Sequence, residues 1–218
     1  MWRKANWGYF LGELLIIVLG IMLSFLLNEW RLGRQERKQE RVILENIREN
    51  LQEDQYLMEE EVKALHEVQR VTQRYLDLEW VPEDSLRYYS GYLQVYSTFP
   101  FNNLAYREME QTGESKFIRN RELLKQIISH YEKDYFAIKE YNEVDKRLIL
   151  DRIMPYIDHH FPNRNRLLIP ENEEQLQASP FQNLVRNNFY FKAVQIQLYK
   201  TQMVKMDTLI RQIEREIE

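Results

Sequence analysis

One carboxylate, Glu13, lies inside the apolar run FLGELLIIVLGIMLSFLL at residues 10–27. A carboxylate at the centre of a bilayer costs roughly 3 kcal/mol on insertion scales, so it faces a partner, a wet cavity or a route to water. Counted at about 100° per residue, Ile17, Gly20, Ser24 and Arg31 fall within about 40° of Glu13, and Asn28 lies close by. Gly8 and Gly12 add a small-xxx-small pair, the spacing that lets helix backbones approach in lipid. The chemistry open to this stripe is adhesion to a second membrane helix, or a proton or ion relay through Glu13. The plainer alternative is that Glu13, about 9 Å along the helix from Trp7, snorkels outward to the headgroups. Trp7 and Tyr9 before the run and Trp30 and Arg31 after it have the amphipathic character that favours the membrane interface.

Other candidate groups are weaker. Asp158-His159-His160 is a cluster in sequence, but consecutive helical residues diverge by about 100°, and His66 and His130 are remote from it. No H-x-x-x-H or H-E-x-x-H spacing exists, so no metal site is expected. The run Glu59-Glu60-Glu61 is the wet face of a helix. The 14 tyrosines supply apolar area with one hydroxyl each, suited to a ligand pocket or to a bundle core whose hydroxyls reach water. There is no phosphate-cradling glycine loop, no G-x-S-x-G and no kinase or dinucleotide pattern. The expectation is therefore a protein without catalytic, cofactor-binding or metal-binding residues. With no cysteine, disulfides and thiolate chemistry are excluded. A net charge of −4, with no strongly basic face or tail, argues against a nucleic-acid partner.

These residues need helices to position them. An apolar run of about 18 residues is long enough to cross the hydrocarbon core. It lacks a small-x-small cleavage pattern behind it, so it reads as an uncleaved anchor. Only 6 Gly and 6 Pro in 218 residues leave few breaks, and the pattern predicts an all-α protein. The expected plan is a tail at 1–8, a transmembrane anchor at 9–30 and a soluble bundle at 31–218. Within the bundle, long helices are expected at about 31–79, 120–158 and 180–217, and short ones at about 84–96 and 103–112. The anchor continues into the first long helix, because no turn signal separates them.

Leu44, Ile47, Leu51, Met58, Leu65, Val68 and Tyr75 recur at helical spacing, and Asp54 and Glu61 interrupt that seam. Trp80 to Gln111 is expected to pack across the far end. Asn120 caps the middle helix, which carries Leu124, Ile128, Tyr131, Tyr135 and Ile138 and should end or kink near Pro155. Ser179-Pro180-Phe181-Gln182 reads as a capping box. The last helix repeats Ile196, Tyr199, Met203, Met206, Ile210, Ile213 and Ile217 with the 3-4 spacing of a coiled coil. Short connections make neighbouring helices antiparallel.

The anchor, Gly12-Glu13-Leu14-Leu15-Ile16-Ile17-Val18-Leu19-Gly20-Ile21 followed by Leu27-Asn28-Glu29-Trp30, resembles the N-terminus of an uncharacterised family of single-pass membrane proteins from Bacteroidota. The stretch Phe101-Asn102-Asn103-Leu104-Ala105-Tyr106, with Gly113, Phe117-Ile118-Arg119-Asn120, Leu123 and Tyr131, is similar to the same family. The resemblance implies the bacterial inner membrane and supplies no reaction. It also favours an extracytoplasmic bundle, since a basic tail in that family holds the N-terminus inside; here that tail offers only Arg3 and Lys4. Arg31, Arg34, Arg37, Lys38 and Arg41 point the other way by the positive-inside rule.

The function expected is a non-enzymatic scaffold or interaction module held in the lipid bilayer. It would assemble as a homo-oligomer or dock on a multi-pass membrane protein. The rivals are a ligand-sensing bundle, with its site near Tyr88 to Phe101, and a small pore lined by Glu13.

Overall fold

A computed structural model describes residues 7–77, 91–160 and 177–218. Among the described residues every regular element is helical, and the fold is all-α. Helix α1, Trp7–Leu76, is a single uninterrupted helix of 70 residues. At about 1.5 Å per residue it is roughly 105 Å long. No proline falls in it, so the apolar N-terminal run passes into the bundle without a hinge, as the absence of a turn signal predicts.

The remaining elements line the outer two thirds of α1. Residues 91–92 close a helical turn and 95–103 follow without regular structure. Helix α2, Leu104–Thr112, ends on Gly113, whose φ of 68° is the left-handed region a glycine adopts freely. A 3-10 turn, Glu114–Phe117, leads to Asn120, whose side chain accepts from the Leu123 N–H at 3.0 Å and caps helix α3. Helix α3 covers 121–160 and contains two π turns, His130–Asp134 and Ile149–Ile153. Helix α4, Ser179–Ile217, returns antiparallel to both α1 and α3.

Cross-links fix these directions. Near the end that adjoins the apolar segment, Arg119 bonds Glu40 and Asn120 bonds Glu216. At mid-height, Asp54 meets Asn102 and Tyr135. At the far end, Gln182 donates to the Tyr75 carbonyl at 3.1 Å. The chain thus runs up through α1, down through 91–119, up through α3 and down through α4.

Two expectations are corrected here. Residues 91–111 do not lie across the far end. They descend beside α1, because Tyr106 stacks on Tyr131 and Met109 joins the lower core. The capping box is not formed either. Ala178 holds the N-cap position of α4, and the Gln182 amide reaches α1 instead of turning back. The expected short helix at 84–96 falls mostly on residues 84–90, outside the described residues, as do the N-terminal tail up to residue 6 and most of the polar, three-proline connection that the sequence suggests at 161–180.

Helix α3 also runs through Pro155 to His160. Its buried side chains explain how. Ile127, Tyr131 and Tyr135, and later Ile149, Ile153 and Ile157, are spaced by four. In a pure α-helix each such step drifts about 40° around the axis. Each π turn lies inside one of these runs and widens the helix where the drift accumulates. The second one also ends two residues before Pro155, which lacks the N–H an α turn would require.

The core divides in two. The lower cluster joins Leu44, Ile47, Leu51 and Met58 of α1 to Ile127 and Ile138 of α3 and to Ile196, Met206, Ile210 and Ile213 of α4. The upper one gathers Val71, Tyr75, Leu93, Ile153, Ile157, Phe181 and Val185.

Candidate functional site

Two regions of the molecule hold groups that helix packing alone does not require: the apolar third of α1 and a polar layer between the two core clusters. On α1, residues 11–32 are all exposed, and apolar side chains there range from 41% exposed at Leu32 to 70% at Ile16. This is a helix long and apolar enough to cross a membrane, with nothing of the bundle covering the apolar segment. Glu13, Gly12, Gly20, Ser24, Asn28, Trp30 and Arg31 all fall on this exposed segment. The Ser24 hydroxyl is satisfied within the helix, donating to the Gly20 carbonyl at 2.9 Å. Trp30 lies under the Arg34 guanidinium, 4.9 Å from its ring centre. Trp7, Gly8 and Tyr9 fall in the first turn of α1; their side chains lie outside those described.

The polar layer is what sequence reasoning missed. Lys192 and Asp145 form an ion pair in which both side chains are fully buried. Burial drives the two toward neutrality, lowering the lysine and raising the aspartate against their mutual attraction. One turn below, Gln195 donates to the Asn142 side-chain carbonyl at 2.8 Å. Asn142 in turn donates to the Tyr199 hydroxyl at 2.9 Å, and Ser97 shares that hydroxyl at 2.8 Å. Burial pushes Tyr199 up to about 12. Lower still, Gln202 meets Nδ1 of His130 at 2.9 Å, while Nε2 of that ring is buried with no partner among the described residues. Burial lowers His130 to about 4, with Asp134 opposing and Lys205 adding to the shift.

The irregular segment 95–103 and the residues just before it explain much of this polarity. Backbone outside a helix has N–H and C=O groups that need partners wherever it packs against a core. Asn188 donates to the Leu93 carbonyl at 3.2 Å. Both carboxylate oxygens of Asp54 accept from the Asn102 N–H, at 3.0 and 3.1 Å. The Tyr135 hydroxyl also donates to Asp54. The apparent fault in the α1 seam is thus the acceptor that secures the descending chain. Burial raises Asp54 above the usual carboxylate range even so. The tyrosine hydroxyls of Tyr135 and Tyr199 bond inside the bundle; they do not reach water, as the sequence reading supposed.

Beside this layer the surface opens into a cleft of about 500 Å³, walled by Phe99, Phe101, Tyr131, Tyr135, Phe136 and Asn142. Glu132, Lys139 and Glu143 supply its charges. The hydroxyl of Tyr131 is buried with no partner among the described residues. The histidine cluster stays at the end of α3, where the His159 and His160 rings meet edge to face at 4.7 Å. Among the described residues no three of His, Cys, Asp and Glu come together as a metal site would require.

A signal for the layer exists in α4. Stepping back from Ile196 by threes and fours, the spacing of one helix face, lands on Lys192, Asn188, Val185 and Phe181, all of them buried. The polar residues sit on the same seam as the apolar ones, and their type hides it.

No protein-family model matches the chain, and neither a curated protein nor a solved structure does. The functional reading rests on the geometry.

Proposed function

We propose that this protein is a single-span, membrane-anchored helical module without catalytic activity, which assembles with copies of itself or with a multi-pass membrane protein. The observation that carries the reading is the continuity of α1. One helix joins a fully exposed apolar third to a packed bundle. Left in water, 17 residues of such surface would be an aggregation site; in lipid they are at home. The bilayer is the first partner. The second is whatever meets the stripe of Glu13, Gly20, Ser24 and Asn28, since a carboxylate facing lipid tails is costly. The similarity of the anchor motif to the Bacteroidota family agrees with this reading.

Cross-linking in native membranes tests it. A defined oligomer or heteromeric product is expected, and a species that stays strictly monomeric and without a partner contradicts assembly. Replacing Glu13 with Leu should weaken that association by about 1 kcal/mol, the scale of a polar contact between membrane helices. An unchanged oligomeric state in the variant would assign Glu13 to the headgroup region instead.

The cleft beside Asn142 favours a second reading, a ligand-sensing bundle that acts through its partner. Its aromatic walls and mixed charges suit a small amphiphile. Thermal-shift screening of the full chain against such compounds tests this. A stabilising compound whose effect is lost in Phe136→Ser supports sensing, and no shift with any compound counts against it.

A further inference from the structure

Directly beyond Trp30, α1 carries Arg31, Arg34, Arg37, Lys38 and Arg41, with Glu36 and Glu40 among them and Glu29 just before. By sequence the charges nearly cancel. On the helix they separate. At about 100° per residue the five bases occupy an arc of about 120°, and the three acids an arc of about 40° on the other side. The acidic side faces the bundle. Glu40 is buried and accepts from the Arg119 N–H at 2.6 Å, and Glu36 pairs with the Arg119 guanidinium at 3.7 Å. On the basic side Arg31, Arg34, Arg37 and Lys38 are all exposed, and Lys38 borders an open cleft that it shares with Glu108 and Glu114. Arg41 is engaged by Glu45 at 2.9 Å; the other four have no carboxylate within ion-pairing distance among the described residues. The bundle therefore takes up Glu36 and Glu40 and leaves Arg31, Arg34, Arg37 and Lys38 without an ion pair among the described residues.

Height decides what meets them. Positions 31–38 rise about 2 to 12 Å beyond Trp30 along the helix. The headgroup layer on each side of the hydrocarbon is about 5 to 7 Å thick. Arg31 and Arg34 stand within it, and the long side chains of Arg37 and Lys38 bend down into it. The base of the bundle is at the same level, since Arg119 also donates to the Gly33 carbonyl at 3.3 Å. Guanidinium groups match phosphate oxygens in paired geometry.

We propose that Arg31, Arg34, Arg37 and Lys38 form a recognition face for the phosphates of anionic phospholipid headgroups, seating the bundle on the membrane surface. This rests on the single-span reading and specifies the lipid class it prefers.

The test uses the full-length protein in vesicles of equal parts phosphatidylcholine and phosphatidylglycerol. The protein is released in mild detergent, and the lipids it retains are weighed by native mass spectrometry. Phosphatidylglycerol should be enriched about fivefold over phosphatidylcholine, as several basic residues near an anionic surface predict. The variant R31Q/R34Q/R37Q/K38Q should retain the two lipids equally. Arg147→Gln with Arg186→Gln, on the bundle, should keep the enrichment. Equal retention by the unaltered protein, or enrichment that survives the fourfold variant, overturns the proposal. So does displacement of the lipid by millimolar glycerol phosphate, which would make this a site for any phosphate. Flotation with pure phosphatidylcholine vesicles separates the two readings. Both proteins should float; failure of both removes the membrane reading itself, whereas flotation without enrichment removes only the lipid preference.

Discussion

Between Leu11 and Leu27 the chain turns apolar side chains outward, whereas at the level of Asp145 and Lys192 it turns polar ones inward. Each arrangement inverts the usual placement, and each answers a different shortage. In the first, the surrounding solvent is proposed to be hydrocarbon, so apolar surface carries no penalty and only Glu13 does. In the second, irregular backbone runs along a helical core and takes partners from Asn188 and Asp54, while Lys192 and Asp145 satisfy each other. The contrast teaches that hydrophobic patterning alone identifies neither region. What matters is which groups lack a partner and where one can come from.

The two regions should respond to substitution differently. Val18→Lys with Leu19→Lys places two ammonium groups mid-span, at about 3 kcal/mol each. The protein should then move from the carbonate-resistant membrane fraction to the soluble one, with the bundle still folded by circular dichroism. The same kind of change in the polar layer has the opposite outcome. Lys192→Met leaves Asp145 buried without its cation and should cost about 3 to 5 kcal/mol in denaturant unfolding, with no loss of membrane attachment. Adding Asp145→Leu should recover most of that loss, because a buried pair is often no more stabilising than apolar residues of similar size.

His130 sharpens the comparison through pH. Its value in the folded protein, about 4, lies below the ordinary 6.5 because burial disfavours the charged ring. The unfolded chain therefore binds the proton first. Stability is complete above about pH 6.5 and declines as pH falls toward 4, by about 3 kcal/mol over that window. Asp54 and Asp145, whose burial raises them, act in the opposite sense in acid. The difference between the native protein and His130→Gln isolates the histidine, and urea midpoints from pH 7 to 4 should lose this limb in the variant. The smallest effect on folding belongs to Tyr135→Phe. It removes one donor from Asp54 while the Asn102 N–H remains, and a loss of about 1.5 to 3 kcal/mol is expected in thermal unfolding.

The all-helical fold and the long continuous α1 were legible because apolar spacing and the scarcity of Pro and Gly are local signals. The seams were legible for the same reason: Leu44, Ile47, Leu51, Met58, Leu65, Val68 and Tyr75 are all buried. Asp54 could be seen to break its seam, but its purpose depends on Asn102 and Tyr135, which lie 48 and 81 residues away in sequence. Nothing local marks Lys192 as buried, since its partner is 47 residues distant. The descent of 91–119 was hidden for a related reason. Aromatic residues suit a cap across the bundle end as well as a fourth column, and only the pairing of Tyr106 with Tyr131 decides between them. Pro155 marked an end or a kink, and the helix runs on through it to His160 behind a π turn at Ile149–Ile153.

The central claim is that lipid surrounds the N-terminal third of a helix that continues unbroken into the bundle. Nitroxide labels placed singly at successive positions from 14 to 40, in protein reconstituted in bilayers, test it directly. The account predicts low nickel-chelate accessibility on all faces from 14 to 27, with high oxygen accessibility everywhere except along the stripe of Ile17, Gly20 and Ser24 that meets a partner. Beyond Trp30 it predicts a reversal, and a periodic pattern that reports the buried face beginning near Glu40. Nickel accessibility through 14 to 27, or exclusion of both probes on every face there, would contradict it.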